Sequence, residues 1–377
     1  MSHSRMSQTD ALVVGGGVSG AVLSTILARA GRSVLLVEKS SSAHHKVCGD
    51  FLSGEALAYL RELDFEPSAF GGVPIRGVRL ASRSLISEAR LPFPAMSLTR
   101  RTLDEALLLH AQRAGVNLLR GVRVNSLNSS HPGWSARLDT GADRDSSAAF
   151  LATGKHDLPG KPRVLAKENG LVAFKMYFRL APSQHEALGQ NVELILFPGG
   201  YAGLQPVEDG LINLCLLVTR SRLRRCHGRW LTLFDHMLTS SEFFANRMEG
   251  AQPQLGKPLA ISPIPYGFIC RHSQDGLWRL GDQAAVIPSF TGDGVSIALH
   301  SAYLAAAVYL GGGTAEDFQH RLFGELRNPV KLASHLSRLL LRTPLLAHTT
   351  RLLPSVISSI ARATRIPATM LLNAAER

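Results

Sequence analysis

The segment Ala11-Leu12-Val13-Val14-Gly15-Gly16-Gly17-Val18-Ser19-Gly20 constrains this chain more than any other. Four consecutive apolar residues fit a strand buried on both faces of a parallel sheet. Gly15, Gly17 and Gly20 then stand in G-x-G-x-x-G spacing, which lets the backbone turn tightly and approach a phosphate. A helix beginning near Val18 and Ser19 directs its free N–H groups and positive dipole end at that phosphate. A second apolar run, Ser33 to Val37, ends in Glu38 and Lys39. A carboxylate at that distance accepts a hydrogen bond from a ribose hydroxyl. Strand, turn, helix, strand and terminal acid in this order predict a dinucleotide-binding unit. The plainer alternative is a tight strand–helix turn with an ordinary surface Glu.

At 377 residues the chain holds one large or two ordinary domains. Met1 to Asp10 is polar and reads as no secretory signal, and residues 11–31 read as buried against a sheet rather than as a membrane span. Cys48, Cys215, Cys226 and Cys270 form no CxxC pair, so no metal site or disulfide framework is expected, and a reducing cytoplasm fits. The net charge of +12 is partly concentrated late, at Lys331, Arg338, Arg342, Arg351, Arg362 and Arg365. These bases alternate with apolar residues and are interrupted by Pro344, Pro354 and Pro367, which predicts short amphipathic helices. Either they form a solvated cap, or they contact an anionic membrane face or an acidic carrier protein. No nucleic-acid recognition motif accompanies the charge.

Along the chain, helical spacing is expected at Ser53–Leu63, Thr102–Ala114 and Trp230–Met248. Strands are expected near Ile75–Leu80, Val116–Leu119, Val122–Leu127 and Phe150–Gly154. Leu171–Leu180, Val192–Phe197, Tyr201–Val207 and Leu211–Val218 alternate around turn residues and predict an antiparallel meander.

A second motif follows far downstream. Leu277-Trp278-Arg279-Leu280-Gly281-Asp282 reads as a strand ending in Gly-Asp, followed by Pro288, Gly292-Asp293-Gly294 and an Ala-rich helix from Val295. Together with Lys46-Val47-Cys48-Gly49 and the R-x-x-L-D stretch from Arg100 to Asp104, these blocks resemble the FAD-dependent oxidoreductases of the para-hydroxybenzoate hydroxylase and geranylgeranyl reductase group.

The resemblance implies an α/β fold: a Rossmann-like FAD-binding domain of glutathione-reductase type, an inserted antiparallel β-sheet substrate domain and a C-terminal helical tail. The expected FAD-binding parts are 1–70, 97–160 and 270–320, the substrate domain 71–96 and 161–269, and the basic tail 321–377. It also implies that Arg100 contacts the FAD phosphate or ribityl region, that the Val124 backbone meets the adenine, and that Asp282 after Gly281 holds the ribityl or pyrophosphate part. Gly294 and Val295, after Gly292, would bond the flavin pyrimidine. Cys48, beside Gly49, would lie against the flavin ring and assist proton delivery, or act only as a small buried hydrophobe. His44 and His45 are a proton relay or a solvated loop pair.

Tyr201-Ala202-Gly203-Leu204-Gln205-Pro206 stands where the reductases carry Y-x-W-x-F-P. Tyr201 and Gln205 thus become candidate substrate contacts, and Gly203 replaces the Trp. Ala152-Thr153-Gly154 lacks the acid of the hydroxylases' A-D-G motif, and Trp134, Trp230 and Trp278 do not form the halogenases' tryptophan pair. No second GxGxxG is present, so NADPH, NADH or a protein donor would reduce the flavin transiently. The expected activity is oxidoreduction of a lipophilic isoprenoid, quinone or alkylated phenol/polyketide, leaning to reduction or dehydrogenation through flavin N5. The alternatives are monooxygenation of an aromatic or polyketide substrate, and an escort protein without turnover.

Overall fold

The computed structural model describes residues 9–164, 170–273, 275–342 and 362–366. Strand β1 (Thr9–Val14) enters helix α1 (Val18–Arg29), and β2 (Val34–Glu38) returns parallel to β1, with Ala11 opposite Val34 and Val14 opposite Val37. Then come β3 (Phe51–Leu52), α2 (Gly54–Glu62), β4 (Val73–Ser82), β5 (Leu85–Ser97) and α3 (Arg100–Arg113). Strands β6 (Asn117–Arg120), β7 (Val124–Ser130), β8 (Gly133–Leu138) and β9 (Asp143–Leu151) complete most of a seven-stranded sheet of order β6-β2-β1-β9-β8-β7. Its β6, β2, β1 and β9 are parallel, because helical crossovers separate them, whereas the hairpin-linked β7, β8 and β9 are antiparallel.

The chain next builds β10 (Leu171–Arg179), α4 (Pro182–Leu188), β11 (Asn191–Phe197), β12 (Gly200–Pro206) and β13 (Ile212–Thr219). Helices α5 (Arg220–Arg225), α6 (Trp230–Ser240) and α7 (Glu242–Arg247) follow, then the short strands β14 (Gln252–Pro253) and β15 (Leu259–Ile261). A nine-stranded sheet results, in the order β14-β10-β13-β12-β11-β4-β5-β3, with β15 against β10. The chain then re-enters the first sheet with β16 (Trp278–Arg279), parallel to β9, and ends in helices α8 (Gly294–Leu310) and α9 (Ala315–Arg342).

Three expectations change. The meander is not wholly antiparallel, because β11 pairs with the early strand β4 in parallel. The stretch Trp230–Met248 breaks at Ser241, whose extended backbone and Oγ, accepting from Phe244 N–H at 3.2 Å, cap a second helix. The late basic region does not begin as short helices. Helix α9 runs unbroken through Pro329 to Arg342, because Phe318, Leu322, Leu326, Val330 and Ala333 bury one continuous stripe. Pro344, Pro354, Pro367 and Arg351 lie outside the described residues.

Two packing layers position the site. Helices α1, α3 and α8 bury Val22, Leu107 and Leu304 on one face of the first sheet. Helices α6 and α7 bury Leu233, Met237 and Phe244 on the outer face of the second, whose other face is turned inward. Among the described residues, no helix is long and apolar enough to cross a membrane.

Candidate active site

The glycine turn is built for close approach. Gly15 has φ +107°, and a Cβ there would sit 2.5 Å from the Ala152 carbonyl oxygen. At Gly20 a Cβ would fall 1.9 Å from the Gly15 oxygen, so this position needs glycine to seat α1 on β1. Gly17 differs. The nearest atoms to a Cβ there are Arg100 Nη2 at 3.6 Å and Lys46 Nζ at 3.9 Å. Two cations therefore border the open side of the turn, beside the N-terminus of α1 at Val18 and Ser19.

Both cations are held by Asp104. Lys46 Nζ lies 2.6 Å from Oδ2, and Arg100 bonds bidentately at 2.7 and 2.9 Å. Burial opposes ionisation of Asp104, but Arg100 and Lys46 outweigh it and hold its carboxyl below the usual range. Two positive charges against one negative, beside a helix N-terminus, suit a pyrophosphate.

Glu38 closes the other end of this region. Its Oε2 accepts the Gly16 N–H at 2.7 Å and its Oε1 the Ser40 N–H at 2.8 Å. Burial pushes its pKa up, but those N–H groups and Lys46 bring it below the ordinary value, so the group stays an acceptor. Lys39 is exposed beside it, and Val124 is buried at the start of β7.

The downstream motif meets the upstream one. Gly281, at φ +55°, packs so that a Cβ would come 2.9 Å from Ser19 Oγ, and its N–H donates to Ser301 Oγ at 2.9 Å. Asp282 pairs with Lys155 Nζ at 3.0 Å. Burial alone would lower the Lys155 pKa; the Asp282 carboxylate raises it above the usual value. Gly292, at φ +75°, comes so close to Phe51 that a Cβ would sit 2.6 Å from that ring. Gly294 and Val295 begin α8, where N–H groups lack intrahelical partners.

Between these motifs and the inner face of the second sheet lies a cavity of about 1420 Å³, part of it open to solvent. Cys48, Gly49, Lys155, Asp282, Gly292, Gly294 and Val295 line it from the first sheet's side. Strand alternation presents Tyr201, Gly203 and Gln205 to it from β12, and Cys215 from β13. Val78, Val192, Leu194, Ile261 and Ile264 make most of the wall aliphatic.

Tyr201 Oη is 3.2 Å from Ser289 Oγ, and burial pushes its pKa well above the ordinary value, so it remains a neutral hydroxyl. Gln205 is 4% exposed, and its Nε2 has no hydrogen-bond partner among the described residues. Burial also raises the Cys215 thiol, to about 12.

Cys48 sits on a loop fixed from below. Asn213 Nδ2 donates to the carbonyls of Cys48 at 3.2 Å and Gly49 at 2.9 Å. Asp50, in the left-handed region at φ 57°, accepts the Arg100 N–H at 3.1 Å, the Lys175 ammonium at 2.5 Å and the Tyr177 hydroxyl at 2.7 Å. Asp50 and Lys175 are fully buried. The His45 ring lies 4.7 Å from the Tyr177 ring; burial, then Lys175 and Arg101, lower its pKa. His44 is exposed, with Nδ1 3.3 Å from the Ser42 carbonyl.

The sequence reading assigned no site role to Lys46, Asp104, Lys155, Asp50, Lys175 or Arg365. Lys175 carried a visible signal, a lone cation inside the apolar run Leu171 to Phe178. Lys155 and Arg365 carried none, because their partners are distant in sequence.

Comparison with known proteins agrees with this geometry. Residues 8–153 match the FAD binding domain family. Menaquinone reductase of Mycobacterium tuberculosis is 27% identical over 316 residues, covering 79% of this chain and 75% of that protein. Digeranylgeranylglycerophospholipid reductase 2 of Methanosphaera stadtmanae is 27% identical over 326 residues, covering 80% and 78%. The halogenase PltM, solved with phloroglucinol and FAD, shares the fold at a TM-score of 0.72 and 15% identity, covering 94% of this chain and 82% of that one. The glycine turn with its two cations thus lies in an FAD-binding domain, and the chain is similar to FAD-dependent oxidoreductases.

Proposed function

We propose that this FAD-dependent oxidoreductase reduces or dehydrogenates a lipophilic small molecule: an isoprenoid, a quinone, or an alkylated phenol or polyketide. The observation that carries the reading is the cavity. Its walls are aliphatic, yet the buried Gln205 carboxamide faces it with a free N–H donor. A buried donor without a partner costs on the order of 1–3 kcal/mol, so a ligand oxygen placed there is strongly favoured. When bound, FAD supplies hydride transfer through its N5.

The protein's own residues do the rest. Lys46, Arg100 and the α1 N-terminus bind the pyrophosphate, Glu38 a ribose hydroxyl, and Asp282 the ribityl region. The aliphatic walls exclude water. Tyr201 holds a proton at its hydroxyl, and the Cys48 thiol lines the same space. Two relatives are named as reductases of menaquinone and of digeranylgeranylglycerophospholipid, both lipophilic molecules, which supports a substrate of that class. NADPH, NADH or a donor protein serves as transient reductant.

The outer side of α9 exposes Lys331, Leu332, His335, Arg338 and Leu339, an apolar and basic face that suits an anionic membrane surface carrying such a substrate. Cosedimentation with anionic vesicles, lost in K331E/R338E, tests that contact; binding to an acidic carrier protein instead would redirect it.

Anaerobic reduction of the purified holoprotein by NADPH, NADH and dithionite, followed by a panel of prenyl compounds, quinones and lipophilic phenols, tests the function. Substrate-dependent reoxidation without oxygen supports it. Stoichiometric oxygen uptake with a hydroxylated product favours monooxygenation, and a protein that purifies without flavin favours the escort reading. Cys48→Ala is expected to keep flavin and lose turnover; normal turnover returns Cys48 to packing.

A further inference from the structure

The end of the described chain returns to the cavity. Thr364, Arg365 and Ile366 are buried, and Thr364 and Arg365 line the same space as Cys48 and Gly294. Arg365 was expected in a basic tail, either a solvated cap or a face that contacts an anionic membrane or an acidic protein; instead it is 8% exposed. Its Nη1 lies 2.6 Å from Asp293 Oδ1, and its Nη2 donates to the Thr291 carbonyl at 3.2 Å. The guanidinium also lies 4.0 Å over the Phe93 ring and 3.6 Å from Glu55 Oε2.

A planar group with five donors suits such a junction, because it makes directed bonds to two elements and stacks on a third. Here it ties the Thr291–Asp293 turn to β5 through Phe93. Phe51, whose ring lies 6.0 Å from the guanidinium, packs on Gly292 and leaves no room for a side chain. The turn delivers Gly294 and Val295, whose N–H groups open α8. Asp293 Oδ2 has no partner among the described residues; burial pushes the pKa of this carboxyl up to about 7, and Arg365, bonded to its other oxygen, opposes that rise.

We propose that Arg365 is a positioning residue of the flavin site: it holds the Gly292-Asp293-Gly294 turn in place and walls the cavity beside Phe51 and Phe93. The proposal rests on the assignment of the Gly294 and Val295 N–H groups to the flavin.

The test uses the full-length protein and three variants. Arg365→Met removes the group. Arg365→Lys keeps the charge beside Asp293 but cannot also reach Thr291. Arg362→Met is the control, because Arg362 is exposed on the same segment. FAD affinity is measured by fluorescence titration of the apoprotein, and visible circular dichroism of the bound flavin is recorded at saturating FAD.

Arg365→Met is expected to weaken FAD binding at least tenfold and to change the visible dichroism, with Arg362→Met like wild type. Arg365→Lys is expected to fold and to show the same changes at about half the logarithmic size, so it decides the matter if the Met variant does not fold. Wild-type affinity and dichroism in a folded Arg365 variant overturn the proposal. Failure of the wild-type chain to bind FAD at all sinks the flavin assignment itself, a different result.

Discussion

The two walls of the cavity are built on opposite terms. On the first sheet's side most polar groups are matched: Asp282 has Lys155 at the cavity, and beside it Glu38 has two N–H donors and Asp104 two cations, with Asp293 Oδ2 the exception. On the second sheet's side the surface is aliphatic, and its buried carboxamide is left with a free donor. A matched wall presents fixed charges to a ligand with fixed charges of its own, which is how a cofactor is held. An unmatched wall waits for a partner that differs from enzyme to enzyme. On the proposed function, cofactor binding and substrate choice are thus divided between two sheets.

The largest expected effect breaks the seam between them. Lys175→Met leaves Asp50 buried without its cation and should destabilise the protein by about 3–5 kcal/mol in urea unfolding, while Asp50→Asn with Lys175→Met recovers most of that loss. A pair whose removal restores nothing would show that the seam is not electrostatic. Next, Gly20→Ala drives a methyl onto the Gly15 carbonyl and should cost on the order of 3 kcal/mol in the absence of any ligand. At Gly17 a Cβ meets only the ends of Arg100 and Lys46, so in Gly17→Val the apoprotein should keep most of its stability while FAD retention through gel filtration is lost. Equal effects of the two glycine variants on the apoprotein would contradict this division of labour.

Smaller effects sharpen the contrast. The lowered pKa of Glu38 means that its contribution is present above about pH 4 and is lost as pH falls through the lowered value. The acid limb of FAD retention should therefore flatten in Glu38→Gln. Smallest of all, Gln205→Leu should change stability by no more than about 1 kcal/mol, upward if at all, since it removes an unpaired buried group. Its effect should appear in KM for oxygen-bearing substrates, with FAD affinity unchanged.

The strand–turn–helix–strand unit was legible in the sequence because its grammar is local: Val14, Gly15, Gly17, Gly20 and Glu38 fall within it, whereas the partners Lys46, Asp104 and Lys155 that match the charges around it come from elsewhere in the chain. The strands of the second sheet were legible as runs, but the parallel pairing of β11 with β4 was not, since nothing local specifies a partner more than a hundred positions away. Ser241 hid a break because its capping bond competes with an otherwise good helical pattern. Arg365 was misplaced for the same reason as the pairing: charge interleaved with leucine reads as a surface, and only the tertiary fold brings it to Asp293, 72 residues earlier.

Asp50 takes one donor from the first element of the R-x-x-L-D helix and two from the far sheet. If the Arg100 guanidinium holds a nucleotide as proposed, such a knot makes loading and assembly reciprocal, because the Arg100 backbone is tied through Asp50 to the opposite half of the molecule. Calorimetry of the loaded protein should therefore give a single cooperative melt, and removal of the nucleotide should split it into two.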